Sequence, residues 1–390
     1  MVTEPHMATS PHMVANANNE SRWRIYYMDN ATTVHDADEI SNINEIIAAV
    51  NEPPQTFEEY LDCYADQVGN LVNAYIPQGT HPDMDKYLYE PLRAYSQNGG
   101  KRHRPLICFA ACRAVGGDMV HATSAAAAIE HFHTAALIHD DIADEAELRR
   151  GETCLHLTEG LGLAINMGDL ALSLVNGTVV SDPELDDATK VRVITELIDM
   201  TRRTVEGQAL DIGWARDGRY DLTPEDYLVM ATHKTAHYSG AVPLAIGAII
   251  GGGTEAEIEA LRNYGLDTGL AFQIQDDLLN LIGSEESTKK DFRNDITEGK
   301  RTLMVVHSLQ NSDESSRARL IEILSSHEKD PRVLAEAVEI MEASGSIEYA
   351  RNYAENLTSI AKNRLIDMVP ASTSRDLLVS MADWFVNRLH

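Results

Sequence analysis

Apolar residues recur every three or four positions along most of this chain, from about residue 56 onward. The run that begins at Phe57, F-E-E-Y-L-D-C-Y-A-D-Q-V, is typical, because its apolar positions share one face of a helix. Similar periodicity covers residues 163–179, 186–211 and 255–281, and we find no convincing strand alternation. The pattern therefore predicts an all-α fold, a single large bundle of roughly ten or more helices with its binding site between facing helices.

The first 55 residues differ from the rest in composition. Residues 1–22 are rich in Thr, Asn, His, Ser and Pro, which predicts partial disorder, and residues 23–55 hold at most a short helix. We therefore divide the chain into an N-terminal extension, residues 1–55, and a helical domain, residues 56–390. The extension carries no recognisable chemistry and is either a tail or a regulatory arm.

Acidic residues outnumber basic ones, with 61 Asp and Glu against 32 Lys and Arg and a formal net charge of −29. This excess argues against binding to nucleic acid and to anionic membrane surfaces. The longest run of small apolar residues, 236–253, is too short and too polar for a membrane span, so we expect a buried helix there. Four cysteines without paired spacing and the lack of a visible signal peptide favour a reducing, cytoplasmic location.

An apolar, alanine-rich run, residues 122–138, leads directly into three aspartates, Asp140, Asp141 and Asp144. No helix breaker interrupts the run up to Gly151, which predicts one long helix. Carboxylates in such a group suit Mg²⁺, and the two arginines that follow, Arg149 and Arg150, can bind phosphate oxygens. The alternative is a solvated acidic helix face, which is common in a chain this acidic.

Three further segments carry candidate chemistry. The segment F-Q-I-Q-D-D-L-L-N repeats the aspartate pair at Asp276 and Asp277, with Gln273 one turn earlier. The glycine-rich loop G-G-K-R-H-R-P, residues 99–105, concentrates positive charge in an acidic protein, which suits a second diphosphate site. A helix in the middle of the chain carries Lys234 and Thr235, which are either surface residues or ligands of a buried phosphate or carbocation.

These motifs, in this order, resemble those of the trans-isoprenyl diphosphate synthases, the polyprenyl synthetase family, and the geranylgeranyl diphosphate synthases in particular. The resemblance covers about residues 56–390. It implies the isoprenoid synthase type of helical bundle with a central active-site cavity, and a homodimer. It also implies Mg²⁺-dependent, head-to-tail condensation of isopentenyl diphosphate with an allylic diphosphate, with three ions per site when substrate is bound.

The resemblance also implies a role for each motif residue. The metal ligands would be Asp140, Asp141, Asp144, Asp276 and Asp277. The allylic diphosphate would contact Arg149, Lys234, Lys290 and Lys300, and isopentenyl diphosphate would contact Lys101, Arg104, His133 and Arg150. The polar residues near the developing cation would be Thr235 and Gln273. One departure is Asn280, which stands where the second aspartate motif commonly ends in Asp.

The residues before Asp140 bear on product length. Ala135 and Ala136 are small at positions where short-chain members of the family tend to carry bulky aromatics. Phe132 lies about one helical turn deeper, roughly 4.5 Å at the helical rise per residue. We hypothesise that Phe132 forms the floor of the cavity and that the product is C20–C25, with geranylgeranyl diphosphate favoured. Alternatively the tunnel runs past Phe132 and the product is C30 or longer.

Two other functions fit the motifs less well. A class I terpene cyclase shares the first aspartate motif, but the N-D-x-x-S-x-x-x-E triad fails here, since Glu298 and Thr302 occupy the Ser and Glu places. A regulatory subunit of a heteromeric synthase tends to lose its aspartate motifs, whereas this chain keeps both.

Overall fold

A computed structural model describes residues 56–283 and 293–387. The proposed N-terminal extension and Lys290 lie outside the described residues. Seventeen α-helices occupy the described part. The first nine are α1 (Phe57–Ala74), α2 (Pro82–Met84), α3 (Glu90–Gln97), α4 (His103–Ala114), α5 (Thr123–Ala143), α6 (Leu155–Thr158), α7 (Leu161–Val180), α8 (Asp187–Arg216) and α9 (Pro224–Ala231). The other eight are α10 (Val242–Ile250), α11 (Glu255–Ile282), α12 (Asn294–Thr297), α13 (Leu303–Asn311), α14 (Glu314–Ser326), α15 (Pro331–Ala343), α16 (Ser346–Met368) and α17 (Thr373–Val386).

Shorter elements connect these helices. Two π-helical segments, Asp85–Tyr89 and Thr232–Ala241, join α2 to α3 and α9 to α10, and a 3₁₀ turn, Met119–Ala122, precedes α5. The strands in the described part are two residues each, β1 (Leu148–Arg149) and β2 (Glu152–Thr153), paired antiparallel. The predicted all-α architecture is confirmed.

Local side-chain contacts fix where the helices begin. The Thr56 hydroxyl accepts a hydrogen bond from the backbone N–H of Glu59 at the start of α1. Full capping boxes open α9 and α11, where the N-cap threonines Thr223 and Thr254 exchange hydrogen bonds with Asp226 and Glu257. Each cap satisfies backbone donors that the first helical turn leaves free.

Two helices position the aspartate motifs. Helix α5 packs against α7, and α11 packs against the Thr232–Ala241 segment, α10 and α16. The apolar faces of α4, α5 and α10 share one buried core, which includes Cys108 and Cys112. The segment 236–253 is buried inside the bundle, as predicted.

The predicted long helix up to Gly151 is wrong at its C-terminal end. Helix α5 ends at Ala143, and Glu145 adopts a left-handed backbone conformation with φ 50°. A residue in this conformation cannot continue an α-helix, so the chain turns into the β1–β2 hairpin. Asp140 and Asp144 nevertheless remain on one turn, because the Asp144 N–H still donates to the Asp140 carbonyl at 2.9 Å.

Helix α7 is the one helix of the described part that is long and apolar enough to cross a membrane by length and composition. Within its most apolar window, 44% of the residues are buried in the fold. Core helices of globular folds can have the same length and composition, so these two properties do not establish a membrane span.

Candidate active site

The first aspartate motif lies at the C-terminal end of α5, facing α8. Asp140 accepts a hydrogen bond from the Gln208 amide at 3.0 Å. Although burial alone would raise the pKa of Asp140, the positive charges of Lys234 and Lys300 bring it below its usual value. Asp144 is different: burial first, together with the charge of Asp140, raises its pKa to about 6 against the opposing effect of Lys300. The two carboxylates of one helical turn therefore differ in pKa, and Asp144 takes up a proton first as the pH falls below neutral.

Asp141 points to the other side of α5 and is 1% exposed. The Tyr95 hydroxyl donates to one of its oxygens at 2.9 Å, and Arg149 Nε donates to the other at 2.6 Å. The hydrogen bond and the charge of Asp141 raise the pKa of Arg149 despite its burial. Asp141 therefore holds Arg149, and the β1–β2 hairpin carries that arginine back towards Asp140, 3.5 Å from its carboxylate.

The second aspartate motif lies on α11, across a cavity from the first. Asp277 accepts hydrogen bonds from the Tyr227 hydroxyl at 2.8 Å and from the Gln273 amide at 2.7 Å. Burial and the charge of Asp295 raise the pKa of Asp277 to about 8. Asp276 and Asn280 line the same cavity. The Asn280 side-chain oxygen accepts from the Asp295 backbone N–H at 3.2 Å, so Asn280 holds the segment that supplies Asp295.

Two lysines lie between the aspartate motifs. Lys234 donates to the buried carboxylate of Asp211 on α8. Lys300 lies 2.6 Å from Glu298, 3.6 Å from Asp295 and 3.7 Å from Asp144. The surrounding carboxylates raise the pKa of Lys300 far enough to outweigh its burial. The site therefore holds the fixed positive charges of Lys234 and Lys300 among carboxylates from several elements.

The position of Lys234 depends on a close approach of two elements. A Cβ atom at Gly207 of α8 would lie 2.2 Å from the Lys234 backbone nitrogen, so the π-helical segment reaches α8 only because position 207 is glycine. Next to Lys234, the Thr235 hydroxyl donates to the side-chain amide oxygen of Gln273 at 2.5 Å. Lys234, Thr235 and Gln273 thus come from two elements to one wall of the site.

Two adjoining cavities result. The polar one, which we call the diphosphate cavity, has a volume of about 410 Å³ and is lined by Arg149, Asp211, Lys234, Asp276, Asp277, Asp295 and Lys300, with other residues. The second, which we call the tail cavity, has a volume of about 440 Å³ and a more apolar lining that includes Phe132, Ala136, Leu172, Val205, Ile212 and Tyr238. They share Lys234, Gln273 and Lys300. A molecule with an anionic head and an apolar tail would fit these two cavities together.

The tail cavity corrects one of the chain-length predictions. Phe132 and Ala136, one helical turn apart, line it, and the Phe132 ring meets the Tyr238 ring edge-on with 5.7 Å between centroids. Ala135 is fully buried instead in the core that α5 forms with α7. Because Ala135 lies roughly 100° round the helix from Ala136, it faces away from the cavity.

Three of the four residues predicted for a second diphosphate, Arg104, His133 and Arg150, lie near one another, since the charges of both arginines act on His133. The fourth, Lys101, precedes Arg104 by three positions. We call Lys101, Arg104, His133 and Arg150 the basic cluster. Arg104 donates to the Tyr238 hydroxyl at 3.1 Å and to Ser239 at 2.8 Å. Arg150 donates to the carbonyls of Asn98 and Gly99 at 3.0 and 2.6 Å.

His133 and Lys101 complete the basic cluster. Burial first, and then the charges of Arg104 and Arg150, hold the pKa of His133 well below its usual range, so this histidine is a neutral hydrogen-bonding group. Lys101 is exposed, with its ammonium 4.8 Å from the centre of the Trp384 ring. The cluster therefore offers three cations and one neutral imidazole.

The residues present suit Mg²⁺. Within residues 56–283 and 293–387, no three carboxylate, imidazole or thiol groups lie close enough together to hold a metal ion by themselves. Mg²⁺ usually takes one or two protein carboxylates and completes its shell with substrate phosphates and water, so facing aspartate motifs around a cavity match its needs. The donors are all hard oxygen atoms, which is the set that Mg²⁺ prefers.

Sequence reasoning missed the residues that hold the motifs in place. They are Tyr95, Gln208, Asp211, Tyr227, Tyr238 and Asp295. Isolated tyrosines carry no local signal, since Tyr95 is 46 residues from Asp141 and Tyr227 is 50 residues from Asp277. Asp211 and Asp295 carry no local signal either, because they are two of 61 acidic residues and belong to no aspartate pair.

Comparison with known proteins agrees with this geometry. The polyprenyl synthetase family model matches residues 85–341. A short chain isoprenyl diphosphate synthase of Methanothermobacter thermautotrophicus is 42% identical over 292 residues, 75% of this chain and 87% of that protein. A geranylfarnesyl diphosphate synthase of Natronomonas pharaonis is 34% identical over 334 residues, 82% of this chain and 95% of that protein.

A solved structure is similar as well. The crystal structure of a geranylgeranyl pyrophosphate synthetase from Pyrococcus horikoshii superposes with a TM-score of 0.75 at 32% identity, over 88% of this chain and 99% of the other. The family match covers both aspartate motifs, the basic loop and both lysines of the diphosphate cavity. The chain therefore belongs to the polyprenyl synthetase family and is a prenyltransferase of isoprenoid biosynthesis.

Proposed function

We propose that this prenyltransferase condenses isopentenyl diphosphate head to tail with an allylic diphosphate and releases geranylgeranyl diphosphate, a C20 product. The observation that carries the proposal is the pair of adjoining cavities, one polar and one apolar, which meet at Lys234, Gln273 and Lys300. The allylic diphosphate would lie in the diphosphate cavity with its chain in the tail cavity. Isopentenyl diphosphate would bind at the basic cluster.

The metal ions would bind between the aspartate motifs. Asp140 and Asp144 would supply ligands from α5, and Asp276 and Asp277 from α11. Asp141 was also predicted as a ligand, but both of its oxygens accept hydrogen bonds, so we assign it the task of orienting Arg149. Bound Mg²⁺, with three ions as the expected number, would neutralise the charge that develops on the leaving diphosphate.

The protein's own residues would promote ionisation of the allylic C–O bond. Arg149, Lys234 and Lys300 offer fixed positive charge where the leaving group gains negative charge, and such preorganised charge stabilises the transition state more than the ground state. Lys290 is predicted for the same role and lies outside the described residues. Thr235 and Gln273, linked to each other, present polar atoms beside the carbon that becomes cationic.

The carbon chain would be kept from water in the tail cavity. Removal of solvent protects an allylic cation from capture before isopentenyl diphosphate attacks it. The attacking alkene forms a bond to the allylic carbon, and the proton then lost would go to the departing diphosphate. Because the diphosphate takes this proton, the scheme requires no general base from the protein.

The length of the tail cavity supports a C20–C25 product. Phe132 lies eight residues before Asp140, which is about 12 Å along the helix axis. Phe132 of α5 and Tyr238 of the Thr232–Ala241 segment both line the cavity, and their rings are in contact. Among the relatives, the geranylfarnesyl synthase of Natronomonas pharaonis and the geranylgeranyl synthetase of Pyrococcus horikoshii are named for C25 and C20 products.

A homodimer is the proposed assembly. Val191, Ile198, Val205 and Ile212 are spaced seven residues apart along α8 and are 63, 55, 62 and 44% exposed. A seven-residue apolar repeat is the pattern by which helices pack against one another. Because Val205 and Ile212 also line the tail cavity, a second copy on this face would border the cavity.

The remaining properties are also proposed. All four cysteines are unbonded, and Cys108, Cys112 and Cys154 are buried, which supports a reducing compartment such as the cytoplasm. We expect neither nucleic acid nor a membrane among the partners, because the net charge of −29 opposes both.

A product assay tests the proposal. The purified protein is incubated with Mg²⁺, isopentenyl diphosphate and, separately, C5, C10 and C15 allylic diphosphates, and the dephosphorylated alcohols are sized. A C20 or C25 alcohol is expected. Alcohols of C30 or longer would keep the reaction and reject Phe132 as the floor. No elongation with any primer by a folded sample would reject the proposed reaction and favour a cyclase or a regulatory subunit.

A further inference from the structure

Arg102 belongs to the basic loop by sequence, but its guanidinium group is bonded to other protein groups. Its side chain is 5% exposed, and Nη1 donates to Glu130 Oε1 at 2.6 Å. A second guanidinium nitrogen donates to the carbonyl of Ser96, the residue near the end of α3. Glu130 itself is 2% exposed. Arg102 at the end of the basic loop and Glu130 of α5 therefore form a buried ion pair.

The guanidinium of Arg102 lies where three helices meet. A Cβ atom built at Gly69 of α1 would lie 3.4 Å from Arg102 Nε, so the group packs against the α1 backbone. Ser96 belongs to α3, and Glu130 belongs to α5. The loop is thereby attached to three helices through one side chain.

The backbone of Arg102 indicates that this arrangement is imposed by its surroundings. Arg102 is the N-cap of α4 and has φ 50° and ψ 30°, the left-handed region that residues with a Cβ rarely adopt. Such a conformation persists where the contacts around it determine it. Lys101 precedes this residue and Arg104 follows two positions later, so the direction of both depends on it.

Glu130, the partner of Arg102, lies on the helix that also carries His133 and Asp140. It precedes His133 by three residues on α5, close to one helical turn, and precedes Asp140 by ten. The second oxygen of Glu130, Oε2, is buried and has no hydrogen-bond partner among the described residues. Both members of the pair lie close enough to act on Arg150: burial chiefly lowers the pKa of Arg150, the charge of Glu130 raises it and the charge of Arg102 lowers it.

We propose that the Arg102–Glu130 pair is a positioning device for the isopentenyl diphosphate site. It holds the loop that carries Lys101, and the first turn of α4 that carries Arg104, at a fixed distance from the helix that carries His133. The inference rests on the proposed assignment of isopentenyl diphosphate to that cluster. Neither residue touches the substrate.

The test removes both charges at once, with Arg102→Met combined with Glu130→Leu. Replacing a buried ion pair by apolar residues of similar volume often leaves a protein folded. Two quantities are measured: the affinity for isopentenyl diphosphate alone, by calorimetry without allylic substrate, and the KM values for both substrates. We expect affinity for isopentenyl diphosphate to fall by about 10- to 100-fold, because a displacement of about 1 Å has effects of that size, and the allylic KM to stay within about twofold.

A matched pair elsewhere serves as the control. Arg262 of α11 binds Glu196 of α8 through two hydrogen bonds of 2.6 and 2.8 Å, away from the basic cluster. Arg262→Met combined with Glu196→Leu should change neither KM by more than about twofold. Where the Arg102–Glu130 double variant fails to fold, Glu130→Gln, which keeps the shape and removes the charge, is expected to show the same selective loss.

The outcomes separate this inference from the proposed function. Wild-type affinity for isopentenyl diphosphate in a folded variant would overturn the positioning role, and so would an equal loss of affinity for both substrates. If the unaltered protein itself does not bind isopentenyl diphosphate, the assignment of the basic cluster is wrong and the proposed function fails first.

Discussion

Arg149 and Asp141 form a buried pair in which Arg149 Nε donates to Asp141 Oδ1 at 2.6 Å. Tyr95 donates to the other oxygen of Asp141, so this carboxylate has no free face for a metal ion. Of the two neighbouring aspartates, Asp140 lines the tail cavity and Asp144 lies 3.7 Å from Lys300. Of the three aspartates in this motif, we therefore propose Asp140 and Asp144 as metal ligands and Asp141 as the residue that orients Arg149.

The first prediction separates these tasks. Asp141→Asn should leave Mn²⁺ affinity, measured by electron paramagnetic resonance in the presence of an allylic diphosphate, within about threefold of the wild type. It should lower kcat/KM for the allylic substrate by about 100-fold, because Arg149 loses its fixed position. Asp140→Asn is the matched variant and should weaken Mn²⁺ binding by about tenfold or more. Equal loss of Mn²⁺ affinity in both variants would restore Asp141 as a ligand.

The second prediction concerns product length. Phe132→Ala removes an aromatic ring from the tail cavity and should shift the products towards C25 and C30 alcohols, measured by chromatography after dephosphorylation. Ala136→Phe, one turn nearer to Asp140, should shorten them, because it adds a ring to the same wall. Phe132→Ala should lower the free energy of unfolding by about 3 kcal/mol or more, so the variant is assayed well below its melting temperature. A folded Phe132→Ala variant with an unchanged product distribution would exclude Phe132 as the floor.

The chemistry of the site could be predicted from the sequence because its parts are local. Asp140 and Asp144 share a helical turn, and Lys101 and Arg104 are three positions apart in one motif, so their spacing keeps each pair close in the fold. Contacts across the fold could not be predicted in this way. No sequence pattern relates Tyr95 to Asp141, 46 residues apart, since the pairing depends on how two helices pack.

The errors have physical causes as well. The long helix was expected to continue to Gly151 because no proline or glycine intervenes, but Glu145 adopts a left-handed conformation that composition does not reveal. Ala135 and Ala136 look equivalent in sequence, although only Ala136 lines the tail cavity. A helix turns by about 100° per residue, and the direction of its faces is fixed only when its neighbours are known.

The third prediction tests the proposed dimer. Ile198 is 55% exposed in the middle of the apolar repeat on α8 and does not line the tail cavity. Ile198→Glu should convert the dimer to a monomer, because it would bury a charge in an apolar contact. The mass is measured by analytical ultracentrifugation. Ile360→Glu on α16, at a residue that is 54% exposed, should leave the mass unchanged. A dimeric Ile198→Glu protein would show that another surface forms the assembly.

The fourth prediction concerns acid sensitivity and centres on His131. Burial lowers the pKa of His131 to about 4 in the folded protein, against the smaller effect of Glu130. The unfolded chain, with an ordinary histidine pKa of about 6.5, binds the proton first, so the stabilisation by neutral His131 is fully present above that pH and is lost as the pH falls towards 4. Between pH 7 and pH 5 this one residue should cost about 2 kcal/mol of unfolding free energy.

Urea unfolding of the wild type and of His131→Leu at the two pH values tests this directly. Leucine cannot take up a proton, so the variant should lose about 2 kcal/mol less between pH 7 and pH 5 than the wild type does. Parallel losses in the wild type and in His131→Leu would mean that His131 is already charged in the folded protein or that other buried histidines govern the acid sensitivity.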